Sequence, residues 1–242
     1  MRAPADGYTL LLACLPNAFN ATLYENLKFN FVRDITPVAG IARDTFLVVV
    51  HPSLPAQTLT EFIAYARANP GRINMGSAGV GSGNHIFGEL FQSATGVKLV
   101  HVPYRGAAPA LVDLLAGQMQ VMFAPATISI EHIRTGRLRA LAVMTATRVP
   151  QLPGVPTVAE FVPGFEASYW LGLAAPKGTP AAIVDMLNRE VNAALADPAI
   201  KAKLDAHEST TIPGTPADFA RLVADETERW GKVIRTAGIK AE

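Results

Sequence analysis

Short apolar runs separated by helix-length amphipathic stretches fill this chain, and that alternation restricts it to an α/β architecture. The runs lie at residues 8–13, 46–51, 72–76, 99–103, 121–123, 138–144 and 169–174. Several are continuous, as in Phe46-Leu-Val-Val-Val50, the pattern of strands covered on both faces, so mostly parallel strands are expected. Between them, Thr58 and Glu61 form a capping box for a helix whose stripe is Leu59, Phe62, Ile63 and Ala66, stopped by Asn69-Pro70-Gly71. A second helix runs from about 84 to 95, with Ile86, Phe87, Leu90 and Phe91 inward and Gly96 as its stop. A third begins near Pro109, buries Leu111, Leu114 and Leu115, and ends at Gly117. Thr179-Pro180 and Thr215-Pro216 open two long helices, to about Ala196 and Ala237, the latter with Phe219, Leu222, Val223, Trp230 and Ile234 inward. Residues 147–168 carry four prolines and little periodicity; Leu152, Val155, Val158, Phe161 and Phe165 give this crossing loop groups to bury.

With 242 residues, half of them hydrophobic, the chain has material for one large domain or two small ones. A net charge of +1 excludes a nucleic-acid binder, which needs clustered Lys and Arg; three arginines within 134–139 are a helix end running into a strand. No apolar run reaches the roughly 18 residues of a membrane span. The start of the chain is not expected to be a signal peptide: Asp6 accompanies Arg2, and the apolar stretch at 10–15 is too short. Leu11-Leu12-Ala13-Cys14 looks like a lipoprotein cleavage site but lacks the leader, and is read as a buried strand with Cys14 packed as a small hydrophobe. Cys14 is the sole cysteine, so no internal disulfide and no cysteine-based metal site is expected.

The stretch that carries chemistry is Gly76-Ser-Ala-Gly-Val-Gly-Ser-Gly-Asn-His85, which follows a strand and precedes a helix. Glycines let a ligand approach the amides, and a helix start presents free N–H groups and a partial positive charge. Ser77 and Ser82 add hydroxyls and His85 a ring nitrogen, which makes an anion site for carboxylate, phosphate or sulfate. A plain tight turn capped by Ser82 fits the composition equally well. The spacing of Gly79, Gly81 and Gly83 is not a dinucleotide fingerprint, no lysine makes it a phosphate loop, and Val80 and Asn84 stand where a nucleophile elbow around Ser82 needs glycines. His51, His101, His132 and His207 are scattered, and no metal site or catalytic triad is expected. Two further strand ends lead into helices: Val102-Pro-Tyr-Arg-Gly-Ala-Ala-Pro109, with Tyr104 and Arg105 as ligand contacts or Arg105 as a plain exposed loop residue, and Phe123-Ala-Pro-Ala-Thr127. Three such ends describe a crevice at the carboxyl edge of an α/β sheet.

These residues resemble the Bug-type receptors, the extracytoplasmic solute-binding proteins of tripartite tricarboxylate transporters. The similarity is carried, in family order, by Ala5-Asp-Gly-Tyr-Thr-Leu-Leu11, Ala68-Asn-Pro-Gly71, Gly76-Ser-Ala-Gly-Val-Gly-Ser82 with His85, and His101-Val-Pro-Tyr-Arg-Gly-Ala-Ala-Pro-Ala110. It continues through Leu138-Arg-Ala-Leu-Ala-Val143, Leu152-Pro-Gly-Val-Pro-Thr-Val-Ala-Glu160, Pro163-Gly-Phe-Glu166 and Gly178-Thr-Pro180. The resemblance implies a type II periplasmic-binding-protein fold, with two lobes closing on the ligand and a hinge crossed twice, near Val48 and Gly172. Lobe 1 is then 1–47 with 173–242, and lobe 2 is 48–172. It also implies a monomeric periplasmic receptor, without enzymatic activity or cofactor, that hands a small carboxylate to membrane transporter subunits. The family's ligand loops map onto Ser77, Ala78, Gly79, Ser82, His85, Tyr104, Arg105, Phe123 and Ala124. Three departures stand out. The family usually begins some tens of residues earlier, with a signal peptide, a first strand and a Gly-rich loop, so lobe 1 is expected to be incomplete. Asp commonly follows the Met-Phe pair where Ala124 stands, which tilts the ligand from an amino acid to a plain carboxylate: mono-, di- or tricarboxylate, or an aromatic acid. Leu171 follows Trp170 where an aromatic is common. The alternatives are a ligand-sensing regulatory module, a non-functional truncated receptor, and an enzyme using His85 as a base near Ser82.

Overall fold

The computed structural model describes residues 3–24 and 26–240. Arg2, assigned above to a charged N-terminal region, lies outside the described residues. In chain order the elements are β1 (Leu11–Cys14), α1 (Leu15–Leu23), β2 (Ile35–Asp44), β3 (Phe46–Val50), α2 (Leu59–Ala68), β4 (Asn74–Ser77) and α3 (Gly83–Thr95). There follow β5 (Val100–Pro103), α4 (Ala107–Leu115), β6 (Val121–Pro125), α5 (Ala126–Arg134) and β7 (Arg139–Val143). After a 3-10 turn (Val158–Glu160) come β8 (Tyr169–Pro176), α6 (Ala181–Ala196), α7 (Pro198–Asp205), β9 (Ser209–Thr211) and α8 (Pro216–Thr236). Among the described residues, no helix is long and apolar enough to cross a membrane. The chain forms two compact units, residues 3–44 with 169–240, and residues 45–168. It passes between them just before β3 and just before β8, a few residues upstream of the expected crossings.

The first unit is built on a four-stranded sheet in the order β1-β8-β2-β9, in which every pairing is antiparallel. β2 shifts register against β8 between Pro37 and Ala39 and again between Gly40 and Ala42, as bulges do where proline cannot donate and glycine adds no packing. Val38, Ala39 and Ala175 pack with Val184, Leu187 and Val191 of α6. Phe19 of α1 meets Trp230 of α8 edge-on at 5.0 Å, and Trp170 of β8 meets Phe219 in the same way at 5.7 Å. Thr215 caps α8 reciprocally with Asp218, as S/T-x-x-D before an apolar stripe predicts.

The second unit holds a five-stranded sheet in the order β5-β4-β6-β3-β7. β5, β4 and β6 are parallel, whereas β3 runs antiparallel to both β6 and β7. The expectation of mostly parallel strands is therefore corrected: among the described strand pairings only β5–β4 and β4–β6 are parallel, although β7, antiparallel to β3, points the same way as those three strands. All five residues of β3 are buried, and burial on both faces, not direction, makes an apolar run continuous. One face of this sheet meets α3 through phenylalanines, Phe46–Phe87 at 4.9 Å and Phe91–Phe123 at 5.3 Å between ring centroids, and Phe62 of α2 joins Phe91 at 6.1 Å. Phe165 closes on Phe91 at 6.4 Å, and Leu152 and Val158 are buried with it, which anchors the proline-rich 147–168 segment; Val155 is only partly buried, and Phe161, expected inward, is exposed. The other face packs Leu47, Val49, Met122 and Ala124 with Leu111, Leu114 and Ile130.

Candidate functional site at the carboxyl edge of three parallel strands

The three parallel strands end at Ser77, Pro103 and Pro125, and α3, α4 and α5 begin beyond those ends. Parallel strands in register put their carboxyl ends on one edge, so three helix N-termini gather there. The tie is tightened by hydrogen bonds: Tyr104 N donates to Ser77 O at 3.0 Å, and Asn84 Nδ2 donates to Phe123 O at 2.7 Å.

The loop from β4 to α3 turns on Gly79 (φ +120°) and Gly81 (φ +75°), conformations that side chains rarely adopt. A Cβ at Gly79 would also stand 3.2 Å from the Tyr104 carbonyl. Ser82 caps α3: its Oγ donates to Gly79 O at 2.6 Å and accepts from His85 N at 3.4 Å. The Gly83 and Asn84 N–H groups then have no acceptor among the described residues, as the first turn of a helix leaves them. Ser77 is fully buried; its Oγ accepts from Gly79 N at 3.1 Å and lies 2.6 Å from His101 Nε2. The His101 ring stacks on the His85 ring at 4.0 Å with 14° between planes.

His85 is buried at 3% exposure, and Gly81 N donates to its Nδ1 at 3.2 Å. Burial, and secondarily the neighbouring His101, pushes its pKa from 6.5 down to about 4. The ring is therefore neutral near pH 7, with Nδ1 as acceptor and the proton on Nε2. Glu89 Oε1 stands 3.9 Å from Nε2; against a neutral ring this is a polar contact, not an ion pair. An anion at this edge is met by backbone dipoles and hydroxyls, with no full charge from His85. The enzymatic reading of His85 finds no support in this geometry, because the nitrogen a base would use already accepts from Gly81.

The structure brings Ser77, Ala78, Gly79, Ser82 and His85 into one cluster beside Tyr104. The Tyr104 hydroxyl donates to Asp113 Oδ2 at 2.6 Å, and that carboxylate, with burial second, pushes the phenol up to about 12. Arg105 lies exposed on the loop into α4. Phe123 and Ala124 are both fully buried. The Phe123 ring lies in the phenylalanine core and Ala124 in the opposite one, so of Phe123 only the carbonyl, held by Asn84, takes part in the edge. His101 belongs to the cluster although sequence reasoning left it among scattered histidines. The usable signal was strand register: β5 sets His101 opposite Met75 and Pro103 opposite Ser77, which puts His101 and Ser77 on one face of neighbouring strands.

Comparison with known proteins agrees with this architecture. The profile of the tripartite tricarboxylate transporter family receptors matches residues 1–239. A solved structure of Rpa4515 from R. palustris with adipate superposes with a TM-score of 0.93 at 39% identity, covering 99% of this chain and 81% of that one. The periplasmic binding protein BugD superposes with a TM-score of 0.95 at 30% identity, covering 100% and 82%. MatC from Rhodopseudomonas palustris, solved with bound malate, gives 0.90 at 31% identity, covering 96% and 81%. The fold is that of the periplasmic binding proteins, and the chain belongs to the tripartite tricarboxylate transporter family receptors, the Bug-type solute-binding proteins.

Proposed function

We propose that this chain is a monomeric periplasmic receptor that captures a small carboxylate for a tripartite tricarboxylate-type transporter, without catalysing a reaction. The observation that carries the reading is the polar edge of the second unit. There the unpaired N–H groups of Gly83 and Asn84 at the start of α3 stand with the Ser77 hydroxyl and Ser82. A carboxylate is planar, accepts up to four hydrogen bonds and suits the positive end of a helix. Family membership supports it, as do adipate and malate in Rpa4515 and MatC. Ala124, buried in the core, offers no side chain to recognise an amino group, which favours a plain carboxylate over an amino acid.

The test is a thermal-shift panel of adipate, malate, citrate, acetate and benzoate against diamines and diols of matched length. A ligand present at 100 times its dissociation constant stabilises the native state by about 2.7 kcal/mol. For a chain of this size that raises Tm by roughly 5–10 °C. The reading predicts such a shift for at least one carboxylate and none for the amines; shifts with amines or diols alone would refute it.

A further inference from the structure

We infer that His101 is a positioning residue for carboxylate binding: it donates its Nε2–H to the Ser77 oxygen and so reserves the Ser77 hydroxyl proton for the bound anion. This rests on the carboxylate reading above and deepens it. A serine hydroxyl has one proton to give and accepts two hydrogen bonds. Around Ser77 Oγ stand Gly79 N at 3.1 Å, which can only donate, His101 Nε2 at 2.6 Å, and Gly79 O at 3.3 Å, which can only accept. When His101 donates, both accepting positions of the oxygen are filled, and among the described residues the proton has only the Gly79 carbonyl to turn to. That carbonyl already accepts from Ser82 Oγ at 2.6 Å and from Ser82 N at 3.1 Å, so the Ser77 contact is its third and longest. A carboxylate arriving at the start of α3 is the stronger acceptor and takes the proton without stranding the carbonyl.

The opposite arrangement, with Ser77 donating to His101, turns a lone pair of Oγ toward the anion. The tautomer of His101 thus decides whether Ser77 attracts or repels a carboxylate. Among the groups that face this pair are, from α3, the His85 ring stacked on His101 at 4.0 Å and Glu89, 3.9 Å beyond that ring. The stack fixes the plane of the His101 ring, and with it the direction of the Nε2–H.

The test compares wild type with His101→Phe, which keeps a ring on His85 but has no donor, and His101→Gln, whose amide keeps one. Adipate affinity is measured by titration calorimetry at pH 7, with Tm of each unliganded protein as the folding control. The expected result is adipate binding weakened about tenfold to a hundredfold in His101→Phe and restored to within about fivefold in His101→Gln. Nitrogen-15 spectra of the wild-type imidazoles with adipate are expected to show His101 protonated at Nε2, a readout independent of how well a variant folds. A folded His101→Phe that binds adipate within twofold of wild type, or an adipate-bound His101 unprotonated at Nε2, would overturn this inference alone. Wild-type protein that binds no carboxylate of the panel would overturn both it and the reading it rests on.

Discussion

Acidification should destabilise this protein through His85 in a way that can be isolated. The ring is 3% exposed, and its pKa falls from 6.5 to about 4 on folding. A base whose pKa is depressed in the native state binds protons more readily when unfolded, so stability is lost as pH falls below 6.5 and the loss levels off near pH 4. Each tenfold difference in proton affinity between the folded and unfolded chain corresponds to about 1.4 kcal/mol. The deficit is then about 2 kcal/mol at pH 5 and about 3 kcal/mol at pH 4 relative to pH 7. Geometry agrees with the sign: protonating Nδ1 would set two donors, it and Gly81 N, against each other across 3.2 Å. The comparison is His85→Asn, whose amide oxygen can take the Nδ1 role without titrating. Urea denaturation of both proteins between pH 7 and pH 4 supplies the free energies, and groups common to the two cancel in the difference. The gap between variant and wild type should move in favour of His85→Asn by those amounts as pH falls. A gap that stays constant, or that moves in favour of wild type, would refute the assignment of His85 as a buried neutral ring.

Two further substitutions probe the first unit. A Cβ at Gly172 would overlap the Phe219 ring and stand 2.7 Å from the Ala39 carbonyl; Gly172→Ala should cost about 3 kcal/mol in urea denaturation, the upper end of overpacking, and a loss under about 0.5 kcal/mol would contradict that packing. Thr215→Ala removes the side-chain oxygen that accepts from Asp218 N at 3.1 Å and should lower stability by about 1 kcal/mol, with Thr215→Ser restoring most of it.

Elements whose sequence carries both a period and a punctuation mark were legible. Ser82 before the stripe of Ile86, Phe87 and Phe91, and Thr215-Pro216 before Phe219 and Val223, announce α3 and α8, and the structure starts both helices there. β2 escaped notice because Pro37 and Gly40 read as breakers, while in the sheet they sit at its two register shifts. α1 is capped by Cys14, whose N–H is held by Asn17 Oδ1 at 2.9 Å; cysteine is no helix-start signal. α7 buries none of its residues, so it has no apolar stripe to read. The loop 76–85 stood out from glycine spacing alone, because its backbone must turn where side chains cannot follow. Its partner His101 did not, since 24 positions separate it from Ser77 and only the parallel register of β4 and β5 joins them. The direction of β3 was equally hidden, as apolar runs record burial and not polarity.

A carboxylate seated at the start of α3 is the claim on which the rest depends, and amide chemical-shift mapping tests it most directly. Nitrogen-15-labelled protein titrated with adipate, or with whichever carboxylate of the panel gives the largest thermal shift, should show its strongest perturbations at the amides of residues 78–84, with Gly83 and Asn84 moving downfield as they acquire an acceptor. Saturable shifts centred elsewhere, with those amides unmoved, would contradict the site.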